Sequence, residues 1–167
     1  MGNSVQHLLT KEAVLAQLGE HPAIQAILAW DATALTDAKW DRQELTLTIA
    51  AEKIRPAAAA VQAAGYNFFE DVTAVDWFPS SPRFQLSYHI LSHPHKERIR
   101  LRVLVDGDAP EVESITSLWP SANFYEREVF DLFGISFSGH PNLRRIMMPD
   151  DWNGHPLRKD YPVEGYR

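Results

Sequence analysis

The chain has 167 residues, 45% hydrophobic and 23% charged, which suits one globular domain whose core needs neither a disulfide nor a metal. It contains no cysteine, which excludes disulfides, a Cys-ligated zinc and a conventional iron–sulfur cluster held by this chain. A net charge of −6 argues against a general nucleic-acid binder, and no apolar run reaches the roughly 20 residues that cross a bilayer.

The N-terminal stretch, MGNSVQHLLTKEAV, lacks the apolar core of a secretory signal. Gln6 stands where an N-myristoylation motif wants Ser or Thr. Thr10 then precedes a helical pattern, with Val14, Leu15 and Leu18 on one side and Gly19 as its stop. Ala23–Trp30 reads as an apolar extended run and Asp37–Arg42 as a polar turn. Over Glu44–Ala50, Leu45, Leu47 and Ile49 alternate with Glu44, Thr46 and Thr48, which predicts a half-buried strand. Glu52–Ala64 reads as a helix with Pro56 near its start and Gly65 at its end.

Three extended runs follow. Phe68–Trp77 is apolar and β-branched. Phe84, Leu86, Tyr88 and Ile90 alternate with polar residues, and Ile99, Leu101, Val103 and Val105 alternate with Arg98, Arg100 and Arg102. A loop of hairpin length, SHPHKE, joins the last two. Their apolar faces predict one side of a sheet covered by helices, and the other side then carries an arginine stripe. That stripe is either a solvated face or a contact face for an acidic partner. Val112–Trp119 is ambiguous between strand and helix.

Asn123–Phe133 reads as an amphipathic helix ended by Gly134. Its stripe is Ala122, Tyr125, Val129, Leu132 and Phe133, and its possible pair is Arg127 with Asp131, four residues on. From Ser138 the chain shows neither helical nor strand periodicity. It is too rich in Ile146, Met147, Met148, Trp152, Leu157 and Tyr161 for a free tail. This last segment holds five Lys/Arg against four Asp/Glu, so it is net +1 and leaves −7 on the rest. His140 and His155 each sit in a Gly-His-Pro tripeptide, which predicts two sharp bends. The reading is an α+β, two-layer domain over 5–137, with helices packed on a mostly antiparallel or mixed sheet. An extended C-terminal arm follows over 138–167. The arm becomes ordered either on a partner or by folding back on its own domain, and its Arg, Trp and Tyr content favours the partner.

Chemistry-bearing clusters are sparse. Glu126 and Glu128 diverge on a helix, whereas Glu128 and Asp131 share a side and could serve acid–base work, a divalent cation or ion pairs. His93 and His95 have an H-x-H spacing in a loop, so a small metal-dependent hydrolase using them with the Glu128/Asp131 face is one alternative. No phosphate-binding glycine loop, H-E-x-x-H or G-x-S-x-G is present. The residues therefore read as a binding module with a docking arm rather than an autonomous enzyme.

The run from Glu126, E-R-E-V-F-D-L-F, then GISFSG, His140, Pro141-Asn142-Leu143 and Arg144-Arg145-Ile146-Met147, resembles the signature of the respiratory-chain 30-kDa-subunit family. In bacteria this is the C subunit of NADH:quinone oxidoreductase, respiratory complex I. Phe69–Trp77, Ser114–Trp119 and Asp151–Pro162 also resemble family blocks, so the likeness covers most of the chain from about residue 10. The resemblance implies a peripheral protein on the cytoplasmic side of the bacterial inner membrane. It implies docking on the hydrogenase-like D subunit, near the B and I subunits and the quinone-reducing module. It implies no cofactor in this chain, with flavin and iron–sulfur clusters in partner subunits, and activity only within the NADH-oxidising, ion-translocating assembly. The end soon after Tyr161-Pro162 reads as a stand-alone protein rather than a fusion with the D subunit. A related component of a membrane-bound hydrogenase or formate hydrogenlyase is the near alternative. The residues expected to carry the signature and the interface are Glu126, Arg127, Glu128, Asp131, His140, Arg144, Arg145, Trp152, His155, Arg158, Lys159 and Tyr161. No catalytic, cofactor-binding or metal-ligating residue is expected.

Overall fold

The computed structural model describes residues 7–164. The readings of residues 1–6, and the two residues of the predicted domain that precede His7, lie outside the described residues.

Alternation of apolar and polar residues builds the sheet. Six strands form it: β1 (His7–Leu8), β2 (Leu35–Asp41), β3 (Glu44–Ile49), β4 (Phe68–Asp76), β5 (Phe84–Ser92) and β6 (Glu97–Val105). Their order is β1-β2-β3-β6-β5-β4. Among the described strands of this sheet, β3 and β6 run parallel and the other neighbouring pairs are antiparallel. The register aligns the predicted apolar positions across strands. Leu47 stands opposite Leu101, and Leu101 opposite Tyr88. All three are fully buried in the single core cluster.

The helices are α1 (Lys11–Leu18), α2 (Pro22–Asp31), α3 (Ile54–Ala63) and α4 (Ala122–Phe133). Thr10 caps α1 as predicted, accepting the Ala13 N–H at 3.3 Å. Two local readings are corrected. Ala23–Trp30 is helical, not extended. Pro22 opens α2 at a position where a missing N–H costs nothing, and Ala23, Ile24 and Ile27 share its buried face. Asp37–Arg42 is not a turn, since Asp37–Asp41 belongs to β2. Its polarity reflects pairing across the sheet surface, as between Asp37 and Arg102 at 3.0 Å. The turn lies at Arg42 and Gln43, both at positive φ.

The arginine stripe is spent largely within the chain. Arg98 and Arg100 pair with Glu44, and Arg102 bonds Thr48 and Asp37. A short parallel pair completes the fold: β7 (Glu111–Glu113) with β8 (Ser136–Ser138), flanking α4 in sequence. β8 therefore reaches one residue into the stretch read as the arm. α4 lies against β4, the strand that ends the sheet.

Candidate functional site: the end of α4 and the arm

An α-helix leaves its last four carbonyls without intrahelical donors. In α4 each of them is met. The Gly134 N–H donates to the Phe130 carbonyl at 2.8 Å, with Gly134 left-handed at φ +71. His155 Nδ1–H donates to the Asp131 carbonyl at 2.8 Å. The Leu157 N–H donates to the Leu132 carbonyl at 3.0 Å. Arg158 Nε–H donates to the Phe133 carbonyl. Three of the four donors come from the arm, which is thus the C-terminal cap of this helix. Arg145 and Arg158 also bring positive charge to the negative end of the helix dipole.

The Asp131 side chain holds the arm at a second point. Its Oδ2 accepts the successive N–H groups of Ile146, Met147 and Met148 at 2.9, 2.7 and 2.8 Å. Its Oδ1 accepts Arg145 Nη1 at 2.6 Å, and Arg145 Nη2 reaches the Gly154 carbonyl at 3.0 Å. Burial pushes this carboxyl up, but the three amides and the guanidinium outweigh it and hold it below the ordinary range. The predicted Arg127–Asp131 pair is not formed. Arg127 turns to the arm instead and donates to the Arg144 and Arg145 carbonyls, each at 3.1 Å.

Glu126 binds on the other side of α4. It is fully buried, accepting Ser114 Oγ–H at 2.6 Å and the Ile115 N–H at 2.8 Å. Burial lifts its carboxyl to about 7 against these two bonds. His140 lies 4.0 Å away, fully enclosed. Its Nε2–H donates to the Asn123 carbonyl at 3.2 Å and its Nδ1 accepts the Asn142 N–H at 3.0 Å, so it is neutral and fixes the first bend. Gly139 and Gly154, the glycines before the two bends, are both left-handed.

A third anchor is made by pairings that carried no signal in the sequence. Arg83 grips buried Asp76 through Nε at 2.9 Å and Nη2 at 2.7 Å, and grips Asp160 of the arm at 2.7 and 3.0 Å. The Lys159 N–H donates to Asp76 at 2.8 Å. The pairs span 77 and 83 residues, and a contact that distant leaves no spacing pattern to read.

The twelve signature residues thus divide. Glu126, Arg127, Asp131, His140, Arg145, His155 and Arg158 point inward and bond the chain itself. Tyr161 Oη–H donates to the Asn153 carbonyl at 3.4 Å, and its N–H to the Arg158 carbonyl at 3.1 Å. Glu128, Arg144, Trp152 and Lys159 are exposed, as are Phe124, Met147 and Leu157. The buried face of α4 is correspondingly more polar than the predicted stripe. Tyr125 is partly exposed, while Glu126, Arg127 and Asp131 are buried. The loop histidines also bond locally, His95 to the Ala64 carbonyl at 2.9 Å and His93 to Asn67 at 3.1 Å. Among the described residues no group of three or more His, Asp or Glu is placed to hold a metal ion.

A small α+β domain whose own arm caps its last helix, with apolar side chains left outside, is the form of an assembly component. Residues 47–167 match the family described as the respiratory-chain NADH dehydrogenase 30 Kd subunit, and the chain belongs to it. Curated relatives carry the name of the C subunit of NADH-quinone oxidoreductase. That of Citrifermentans bemidjiense is 48% identical over 80% of this chain and 84% of its own length. That of Roseiflexus sp. is 54% identical over 59% of this chain and 56% of its own length. Among solved structures, the trypsin-resistant fragment (1–134) of Nqo5 is similar at TM-score 0.56 and 38% identity, over 60% of this chain and 83% of that one. A chain of the membrane-bound sulfane sulfur reductase, an archaeal respiratory membrane complex, is similar at TM-score 0.73 and 26% identity, over 88% and 87%.

Proposed function

We propose that this chain is a cofactor-free component of the peripheral arm of an NADH:quinone oxidoreductase. In this reading it contributes no reacting group. It supplies a docking face that holds the hydrogenase-like D subunit near the quinone-reducing module, beside the B and I subunits, on the cytoplasmic side of the membrane. NADH-to-quinone electron transfer coupled to ion translocation belongs to the assembly, with flavin and iron–sulfur clusters in the neighbours. No described helix is long and apolar enough to cross a membrane, so attachment would run through those neighbours.

The observation that carries this reading is the division of the arm. Its polar backbone and Arg145, His155 and Arg158 are engaged with α4. Met147 (62%), Leu157 (49%) and Trp152 (38%) stay exposed beside exposed Arg144 and Lys159. Holding these side chains in place beforehand lowers the ordering entropy a partner must overcome, and Trp, Arg and Met are enriched where partners meet.

The test is purification of the tagged chain from its own membranes in mild detergent, with an NADH:quinone assay. Recovery in an assembly with flavin and iron–sulfur absorbance and NADH oxidation is expected. Recovery in an assembly without NADH oxidation would move the chain to a hydrogenase-type or sulfur-reducing complex, the setting of the archaeal relative. Recovery of the chain alone would overturn the reading.

A further inference from the structure

β4 ends the sheet, and among the described residues β5 is the one strand paired with it. An open strand edge invites pairing, and proteins usually blunt it with charge, proline or a bulge. β4 is blunted over only half its length. Its bulge lies between Phe69 and Asp71, and Glu70 and Asp71 are charged. From Val72 to Val75 the strand carries no charge, no proline and no glycine.

Beside this open half lies a groove of about 280 Å³ between β4 and α4. Its floor is apolar, with Val72, Ala74, Val129 and Phe133 among the lining residues, and Leu157 of the arm lines it too. Its lining includes two carboxylates, Glu128 and Asp71, and Asp71 is bonded to His89 Nδ1 at 2.6 Å. Glu126 and Asp131 are fully engaged within the chain, but Glu128 has no hydrogen-bond or ion-pair partner among the described residues. The volume falls just below the roughly 300–1,000 Å³ of a small-molecule site, and suits a few side chains of a longer ligand.

We propose that the Val72–Val75 edge and this groove dock an extended segment of a partner polypeptide that alternates apolar and basic residues and adds a strand to the sheet. Main-chain bonds to β4 would give affinity, and alternate side chains entering the groove would give selectivity. Basic residues of the segment would meet Glu128 first, with Asp71 and its His89 partner beside it. A second copy of this chain fits poorly, because its own β4 would bring Glu70 and Asp71 to the same two carboxylates and the chain is net −6. The proposal rests on the reading of the chain as an assembly component, and adds a contact element on the domain that meets the arm's outer side at Leu157.

The probe is a short synthetic peptide alternating valine with lysine, titrated into the full chain while backbone amide resonances are followed. Binding is expected with shifts concentrated at Asp71–Val75 and Tyr125–Phe133. Glu128→Lys, at an exposed position, should weaken it by about three- to tenfold. A matching peptide with glutamate for lysine should fail to bind. Absence of binding, shifts centred on the Arg100 face, indifference to Glu128→Lys, or β4-dependent self-association of the chain would each overturn the proposal. A chain that ignores the peptide yet co-purifies in an assembly loses the groove alone. One that binds the peptide yet elutes alone loses the assembly reading instead.

Discussion

The buried carboxylate of Asp131 lies 2.6 Å from Nη1 of Arg145, so one helix residue and one arm residue form an ion pair fourteen positions apart. Three backbone amides share that carboxylate. Removing one partner of a buried pair leaves the other charged and unsatisfied, which costs about 3–5 kcal/mol. Asp131→Ala should therefore lower the unfolding free energy by about that amount in urea titration. Asp131→Asn, which keeps one acceptor, should cost less. Trypsin should cut at Arg144 and Arg145 sooner in both variants. An unchanged cleavage rate would mean the arm is held elsewhere.

Glu126 sets a pH dependence of the opposite kind. Its folded value of about 7 lies above that of an ordinary glutamate. Burying its charge costs nothing below pH ~4.5, where folded and unfolded chains are both protonated. The cost grows as pH rises towards 7 and is complete above it, at roughly 3 kcal/mol. Glu126→Gln should remove that loss. Its Oε1 can still accept the Ile115 N–H, and its amide can donate to Ser114 Oγ after the hydroxyl rotates. The variant should be no less stable than the parent at pH 8, and the difference between them should vanish near pH 4. Buried His140, pushed down from its ordinary value, costs stability as pH falls below ~6.5 in both proteins. The comparison therefore isolates Glu126. A constant difference across this range would refute the assignment.

Much of the fold was legible because strand period and helix period differ. The β3, β5 and β6 alternations and the α1 cap needed only local rules. Ala23–Trp30 was misread because an apolar run of that length carries no contrast between the two periods. Only Pro22 at the first position marked it as a helix. The signature residues were visible as a pattern, but their partners were not. Arg127 and Asp131 have the spacing of a helix pair, yet each is claimed by the arm, because a buried carboxylate gains more from three amides and an arginine than from one surface-type pair worth a few tenths of a kcal/mol. Arg83 with Asp160 could not be read from sequence at all.

Gly134 is required twice over. Its φ of +71 is costly for a residue with a Cβ. An added Cβ would also lie 2.5 Å from His155 Cδ2 and 2.7 Å from Arg158 Nη2. Both side chains would have to leave the helix end they cap. Gly134→Ala should cost more than the ~1–2 kcal/mol of backbone strain alone. It should also speed tryptic cleavage at Arg158 and Lys159. If cleavage stays slow and the loss stays within the backbone figure, the side chains have room to move and the close approach is not a constraint.

Arg83 joins the end of β4 to the end of the arm, so its loss should release Asp160 and Lys159 together. Arg83→Lys keeps the charge but cannot grip two carboxylates through paired nitrogens. It should expose the arm to trypsin beyond Leu157 while leaving α4 helical by circular dichroism. Acid should do the same to the parent. Burial raises the Asp76 carboxyl, but Arg83 and the amides of Lys159 and Phe78 outweigh it and bring it to about 2. A depressed carboxyl stabilises above its unfolded value near pH ~4, and that contribution is lost as pH falls through the folded one. Between pH ~4 and ~2, acid-stable proteolysis should find the arm's end before the sheet yields. If arm and sheet open together in the parent, the Asp76–Arg83–Asp160 cluster is part of the core and not a separable clasp.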